Sequence, residues 1–483
     1  MDYLLYGLLG LIGVFVMLLL IAVIRTLLLK APKPLENTFK IDEAVKQLYA
    51  NGLAQLVRFK TIASKTNQDQ SLFTEMQTKM KELFPHVFAT MEIKVFEGGS
   101  LLACWKGQDS LLKPLVLMAH QDVVPAPLEG WIHDPFQGVI EGNEVFGRGA
   151  FDTKCTLYAF FQAAEELILE GFVPKTDVYL ASSSDEEISG LGALRTVEYL
   201  KSKGVEPKLV LDEGGAIVKG ALPTSSQPIA LIGVIEKGYV NISVKAKSKG
   251  GHSSTPPKNT PIARLSFFIS DIEKHFPLKT KMIPEVESLF KTAAPTMSFP
   301  FRLLFGNLWL FKGLLTSLLP KINPYGRALL STTIAYTMMK GSDAENVIPN
   351  EASILLNCRT HPIQGIDSTF ETLNKIAKKY DCECEILEGR EASPIVNVTG
   401  DAYKAVLSSI KTIFPEVLIS PYVILGGTDA RHYTAITDAA LRFSPIRVSN
   451  QDLKKMHGIN ESVSIDALAE AVVFYKHLIK EFH

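Results

Sequence analysis

The chain has 483 residues, and 50 Lys+Arg against 51 Asp+Glu leave a formal net charge of -1. That balance argues against a nucleic-acid binder, which needs a basic excess to neutralise phosphates. With 47% apolar and 21% charged residues the chain is too apolar to be disordered. At roughly 100–200 residues per domain, it has room for two or three domains. Its five cysteines show no C-x-x-C spacing, which speaks against both a disulfide framework and a cysteine zinc ribbon.

Residues 3–24 carry no charge and are mostly Leu, Ile, Val and Phe. About 20 such residues cross a hydrocarbon core as a helix. A cleaved signal peptide is the alternative, but the run is too long, lacks a leading Lys or Arg and is followed by no small-x-small site. The expectation is an uncleaved transmembrane anchor over residues 3–29 of a single-pass membrane protein. Arg25, Lys30, Lys33 and Lys40 all follow the span and only Asp2 precedes it, so the positive-inside rule favours a cytoplasmic position for the rest. Three glycosylation-type triplets, at Asn241, Asn397 and Asn460, are too short to decide the side.

Beyond a Pro/Lys linker, residues 41–59 have helical spacing. Short apolar runs at 115–119, 178–181 and 209–211 then alternate with helical patterns at 158–169 and 191–200. Buried strands alternating with helices predict an α/β domain around a largely parallel sheet. Near Glu236 the texture changes: residues 240–247 and 352–359 alternate as strands with one solvated face do. The expected layout is an α/β domain in two parts, 40–236 and 389–483, interrupted by an inserted α+β domain at 237–388. Residues 296–320 are strongly apolar, but Arg302, Lys312 and two prolines oppose a second span. They read as buried helix with loops, or as an apolar substrate channel or membrane-facing lip.

Four clusters carry chemistry. His120-Gln-Asp122 ends an apolar run, and Asp122, two residues on, points to the same side as His120 and can orient it. Asp152 sits in the glycine-rich Gly147-Arg-Gly-Ala-Phe-Asp-Thr-Lys, where an N-cap role is the structural alternative. Asp185-Glu186-Glu187 follows another run, and adjacent carboxylates repel unless a cation compensates. Asp212-Glu213-Gly-Gly follows a third. Ligands of open α/β sheets bind at such strand ends.

Together with Gly-His252-Ser-Ser-Thr-Pro-Pro, Asn346-Val-Ile-Pro, Gly426-Gly-Thr-Asp-Ala-Arg431 and Lys-Met-His457-Gly-Ile-Asn-Glu, these motifs resemble the carboxypeptidase S and aminoacylase-type family of di-zinc metallopeptidases. The resemblance covers roughly residues 40–483. Within the family it looks most like carboxypeptidase S and the enzymes that hydrolyse and form N-fatty-acyl amino acids. It implies two zinc ions bridged by Asp152, one taking His120 and Asp212 and the other Glu187 and His457, with Glu213 a competitor for the Asp212 role. It implies Asp122 as the orienting carboxylate, Glu186 as general base and His252, on the inserted lid, as oxyanion partner. Asn346, Arg359, Gly426, Gly427, Thr428 and Arg431 match substrate-contacting positions, while His133, His361 and His432 match no metal position. The implied substrate is a peptide or an N-acyl amino acid with a free carboxylate. A dipeptidase or tripeptidase, and a non-catalytic metal-stabilised binding protein, are the alternatives. The long apolar segment at 276–333 leaves both monomer and homodimer open and favours an acylated or hydrophobic substrate.

Overall fold

A computed structural model describes residues 2–33, 35, 40–66 and 69–483. Four short, wholly buried strands form its centre in the order Val178–Ser182, Leu115–Met118, Leu209–Asp212 and Ala440–Arg442, all parallel. Their residues are apolar on both faces because both faces are covered. Leu115 and Leu117 pack into a core with Tyr158, Phe161 and Leu468, whereas Val116 and Met118 meet Val197, Leu200 and Tyr433. Helices Lys154–Leu169 and Ile465–Glu481 supply the first layer and Gly192–Ser202 the second.

The full sheet has ten strands and is mixed, a correction to the largely parallel expectation. Leu101–Trp105 pairs antiparallel with Val178–Ser182, and Glu92–Val95 pairs antiparallel with Leu101–Trp105. The turn between those two outer strands holds Gly98 and Gly99 at φ +89° and +100°, a region that L side chains avoid. A tight hairpin cannot be read from apolar runs alone, which is why the antiparallel margin escaped the sequence. The parallel centre still brings four strand carboxyl ends to one edge, and that edge carries His120, Glu186, Glu187 and Asp212.

A second, four-stranded antiparallel sheet runs in the order Thr333–Lys340, Glu351–Thr360, Gly238–Lys247 and Glu383–Arg390. Residues of Glu351–Thr360 alternate buried and partly exposed along its length. Helices Pro261–Lys274 and Ile366–Lys379 cover one face around Val240, Ile242, Phe268 and Leu373. The apolar segment between these strands behaves differently. Helix Pro284–Ala293 places Val286, Leu289 and Phe290 in the core of the first sheet, so the insert is shared between both sheets.

The join is held by two buried bases. Lys237 Nζ donates to the carbonyls of Ala328 (3.0 Å) and Ser331 (2.9 Å), and burial, with Arg359 adding to it, pushes the ammonium down to about 7. His361 Nε2 lies 3.2 Å from the Leu329 carbonyl, and burial followed by the Lys237 charge pushes the imidazole down to about 4. The unfolded chain therefore binds more protons between about pH 4 and about pH 6.5. The His361 contribution is complete above that window and is lost as pH falls through it, in total on the order of 3 kcal/mol. His361→Gln should show a smaller drop in thermal midpoint between neutral and mildly acidic buffer than the wild type. An equal drop would mean that the burial of this imidazole is not felt.

Candidate active site

The parallel strand ends hold the first half of the site. His120 lies two residues beyond the end of Leu115–Met118 and is buried. Its Nδ1 lies 2.9 Å from the Asp122 carbonyl oxygen and 3.5 Å from Asp122 Oδ1, leaving Nε2 aimed at Asp152 Oδ1, 3.0 Å away. Asp122 is thus beside His120 as expected, but its carboxylate has further partners. It accepts the backbone amides of Glu186 (3.2 Å) and Glu187 (3.0 Å), pinning the turn after Val178–Ser182. Two neighbouring glutamates with different jobs need such a brace, because their side chains repel.

Asp152 stands at the centre. One oxygen faces His120, and the other lies 3.0 Å from His457 Nε2, which in turn is 3.2 Å from Glu187 Oε2. Ligand atoms of His120, Asp152 and Glu187 fall within 4.8 Å of one another. The loop carrying Asp152 is held by buried Glu461, which accepts the amides of Phe151 (2.9 Å) and Asp152 (3.0 Å) and pairs with Arg148 at 2.5 Å. Burial opposes the charge of His120, but Asp122 and Asp152 outweigh it and hold the imidazole well above its usual range. Hydrogen bonding to Asp152 and Glu187 raises His457 to about 10. These carboxylates demand positive charge. Glu187 Oε1 is buried and has no hydrogen-bond partner among the described residues. A carboxylate shared between two imidazoles, with an orphaned oxygen beside it, fits a pair of divalent cations held by neutral histidines.

The next strand end separates Asp212 from Glu213. Asp212 is buried and its two oxygens accept the amides of Glu213 (2.8 Å) and Ala430 (2.7 Å). Burial raises it to about 6, and its principal charged neighbours are Glu236 and Arg442. Burial also pushes Glu213 well up, but the charges acting on it are Asp152, Asp212 and His120.

Glu186 is pushed well above the carboxylate range by burial and by Asp429, against His120 and Arg431. Arg431 Nη1 reaches Glu186 Oε1 at 3.5 Å and donates to the Thr428 carbonyl at 2.8 Å. A Cβ on Gly427 would meet Arg390 Nη2 at 3.0 Å and Arg431 Nη1 at 3.7 Å, so both guanidinium groups border that turn; Gly426 faces open space. Arg359 and Arg390 stand over the Tyr239 ring, at 5.9 and 5.5 Å. Thr428 sits behind this wall: its amide and hydroxyl both donate to buried Glu236, as does Arg442 Nε. His252 and Asn346 lie together on the second sheet's side of the molecule, where Ser253 N donates to the Asn346 carbonyl. The His252 ring is exposed and engaged with Ser254 at 2.8 Å, and among the described residues no hydrogen bond or ion pair joins it to the carboxylate cluster. His133 pairs with Glu141, and His432 accepts from Arg431 Nε.

Residues 116–481 match the model of peptidase family M20/M25/M40. The chain belongs to that family. It is 33% identical over 440 residues to a probable carboxypeptidase S-like protein of Dictyostelium discoideum, covering 89% of this chain and 84% of the relative. It is 34% identical over 450 residues to the N-fatty-acyl-amino acid synthase/hydrolase of Homo sapiens, covering 92% and 88%. The fold matches an M20 family metallo-carboxypeptidase from Sulfolobus solfataricus with a TM-score of 0.67 at 20% identity, over 91% of this chain and 99% of that one. A dinuclear metal-binding M20 peptidase of Bacillus subtilis matches at 0.55 and 14% identity, over 91% and 98%. As a member of the M20 peptidases, the chain is an enzyme that hydrolyses amide bonds.

Several residues that build this M20 site carried no assigned role in the sequence. Glu461 lies inside the His457 motif, yet its work on the Asp152 loop is set by a contact more than 300 residues away in the chain. Asp429, which accepts from the Ser183 hydroxyl and which burial raises to about 7, is equally silent in one dimension. Arg390 could have been found only through the pairing of Glu383–Arg390 with Gly238–Lys247, where it stands opposite Tyr239. The brace at Asp122 makes a direct prediction. Asp122→Asn can accept only one of the two amides and should weaken metal retention about 10–100-fold, measured by competition with a chromophoric chelator. Unchanged retention would mean that the Glu186–Glu187 turn holds itself.

Proposed function

We propose that this enzyme, which cuts amide bonds next to an amino acid bearing a free carboxylate, works with two zinc ions on N-acyl amino acids with apolar acyl groups. We further infer that its N-terminal helix anchors it in a bilayer. The observation that carries the reading is the placement of Asp152 between His120 and His457, with Glu186 and the Arg390–Arg431 wall beside it. Nitrogen and oxygen donors of this kind suit Zn²⁺. Asp152 would be shared, with His120 and Glu213 completing one ion's ligands and Glu187 and His457 the other's. Glu213 is put forward over the adjacent Asp212 because the Asp152 and His120 charges bear directly on it, while each Asp212 oxygen accepts one backbone amide.

When bound, the two ions would acidify a shared water and polarise the scissile carbonyl. The chain's own part begins with Glu186, whose burial keeps its carboxyl group high enough to take a proton and give it back. Arg431 at Oε1 fixes which way that carboxylate faces. The substrate carboxylate would bind between Arg390, Arg431 and Arg359. Arg390 is crowded: burial and then the Arg431 charge disfavour its protonated form, and an anion at Gly427 would relieve both. Asn346 and His252, at the two-stranded ribbon Gly251–His252/Val347–Ile348, would close over the reacting carbonyl as a lid.

The human relative's name supports the acyl-amino-acid substrate and the Dictyostelium relative's name supports a peptide, so the test pairs both. Full-length protein in detergent, loaded with zinc, should release amine from long-chain N-acyl amino acids faster than from blocked dipeptides. Chelation should abolish turnover and zinc restore it. Glu186→Gln should lower kcat about 10²–10⁴-fold with both ions retained. Preference for the dipeptides would turn the assignment to carboxypeptidase, and activity kept by Glu186→Gln would remove Glu186 as the base. Arg390→Met should raise KM about 10–100-fold, the worth of a charged hydrogen bond, with kcat nearly unchanged. Glu213→Gln should retain one zinc where Asp212→Asn retains two; the reverse would restore Asp212 as the ligand.

A further inference from the structure

Helix Leu308–Ile322 is amphipathic in the wrong sense for a water-soluble surface. Leu308, Leu315 and Pro320 are buried against the body of the protein. Its exposed side carries Leu314, Leu318 and Ile322, one turn apart, and Trp309 on a neighbouring stripe at the start of the helix, with Trp309 50% and Ile322 64% exposed. Tyr325, 69% exposed, continues the patch into the next helix, and Phe299 belongs to the preceding one. A solvated helix normally presents charged residues on this side. An apolar patch on the outside of a protein marks a contact surface.

What covers it is indicated by where it is fixed. Helices Phe299–Gly306 and Leu308–Ile322 meet at a bend of 102°, and Asn307 at the bend is buried. Its side-chain amide donates to the Ala22 carbonyl (3.2 Å) and to Thr26 Oγ1 (2.9 Å) of helix Asp2–Leu28. Its Oδ1 accepts from the Trp309 indole at 3.1 Å. The apolar patch is therefore one hydrogen bond from the last two turns of the N-terminal helix. Tyr3–Leu28 has 26 residues, about 39 Å of helix against a hydrocarbon core of about 30 Å, so its last turns reach the headgroup level. Arg25 on that stretch is exposed and suits the same depth. A half-exposed tryptophan with its indole N–H satisfied, on a helix that carries Lys321 in its last turn, has the composition of a membrane-interface contact.

We propose that the elbow at Asn307 seats the exposed face of helix Leu308–Ile322 in the interfacial layer of the bilayer that the N-terminal helix crosses. The occupant of the patch is lipid, not a second protein. The inference rests on the membrane anchoring proposed above, and it adds a second contact that prevents the catalytic body from swivelling freely on a single helix.

The test uses the full chain in phosphatidylcholine vesicles, with and without brominated acyl chains, and reads tryptophan emission. The chain has three tryptophans; Trp105 is buried in the protein core and serves as internal reference. Brominated lipid should quench the wild type, and Trp309→Phe should remove most of that quenching. Equal quenching of both proteins, while both still float with the vesicles after an alkaline wash, would overturn the elbow contact and leave the anchor intact. Shielding of Trp309 from acrylamide without quenching by brominated lipid would mean that protein covers the patch, and would also overturn it. Protein washed off the vesicles would remove the anchor, and the elbow contact with it.

Discussion

Carboxylates crowded into one largely buried place impose the constraint on which the rest of this structure depends. Asp122, Asp152, Glu186, Glu187, Glu213 and Asp429 gather at the carboxyl edge of one sheet, where burial makes the charges of Glu186, Glu213 and Asp429 harder to sustain. The fold meets this in two ways. It spends some carboxylates on backbone amides: Asp122 on Glu186 and Glu187, Asp212 on Glu213 and Ala430, Glu461 on Phe151 and Asp152, Asp185 on Leu191 and Gly192. In most of these the donor loop is distant in sequence, so each brace locks one loop onto another. Asp152 and Glu187 are left between His120 and His457, an arrangement that fits divalent cations.

That division explains what was legible in the chain and what was not. The apolar runs ending in His120, Glu186 and Asp212 identified the strand ends, because a strand buried on both faces leaves a continuous apolar signal. Strict alternation over Glu351–Thr360 likewise revealed a sheet with one open face. The braces left no such signal. Which backbone amides a carboxylate holds depends on a partner loop, as Asp212 does on Ala430, and adjacency in sequence carries no trace of it. Arg390 and Glu461 act across strand registers and loop contacts that periodicity does not encode. The apolar segment at 276–333 was legible as unusual but not as divided: Val286 and Phe290 fill the first core, while Trp309 and Leu318 face outward.

The second sheet and the elbow at Asn307 share this inserted segment. Lys237 and His361 bind its last turns to the base of the second sheet, and Asn307 binds its middle to the N-terminal helix. One stretch of chain therefore connects the helix, the core under the site and the sheet that carries Arg359. A compact peptidase needs no such connector. An enzyme whose apolar substrates dissolve in a bilayer gains from one, since it sets the cleft's position relative to the surface where those substrates collect.

The central claim is that Asp152 is shared between two metal ions. Anomalous diffraction at the zinc edge, from crystals of the zinc-loaded full chain, tests it most directly. The account predicts two peaks about 3.5–4 Å apart, one beside His120 and one beside His457, with Asp152 between them. A single peak, or a pair that leaves Asp152 on one side, would contradict it.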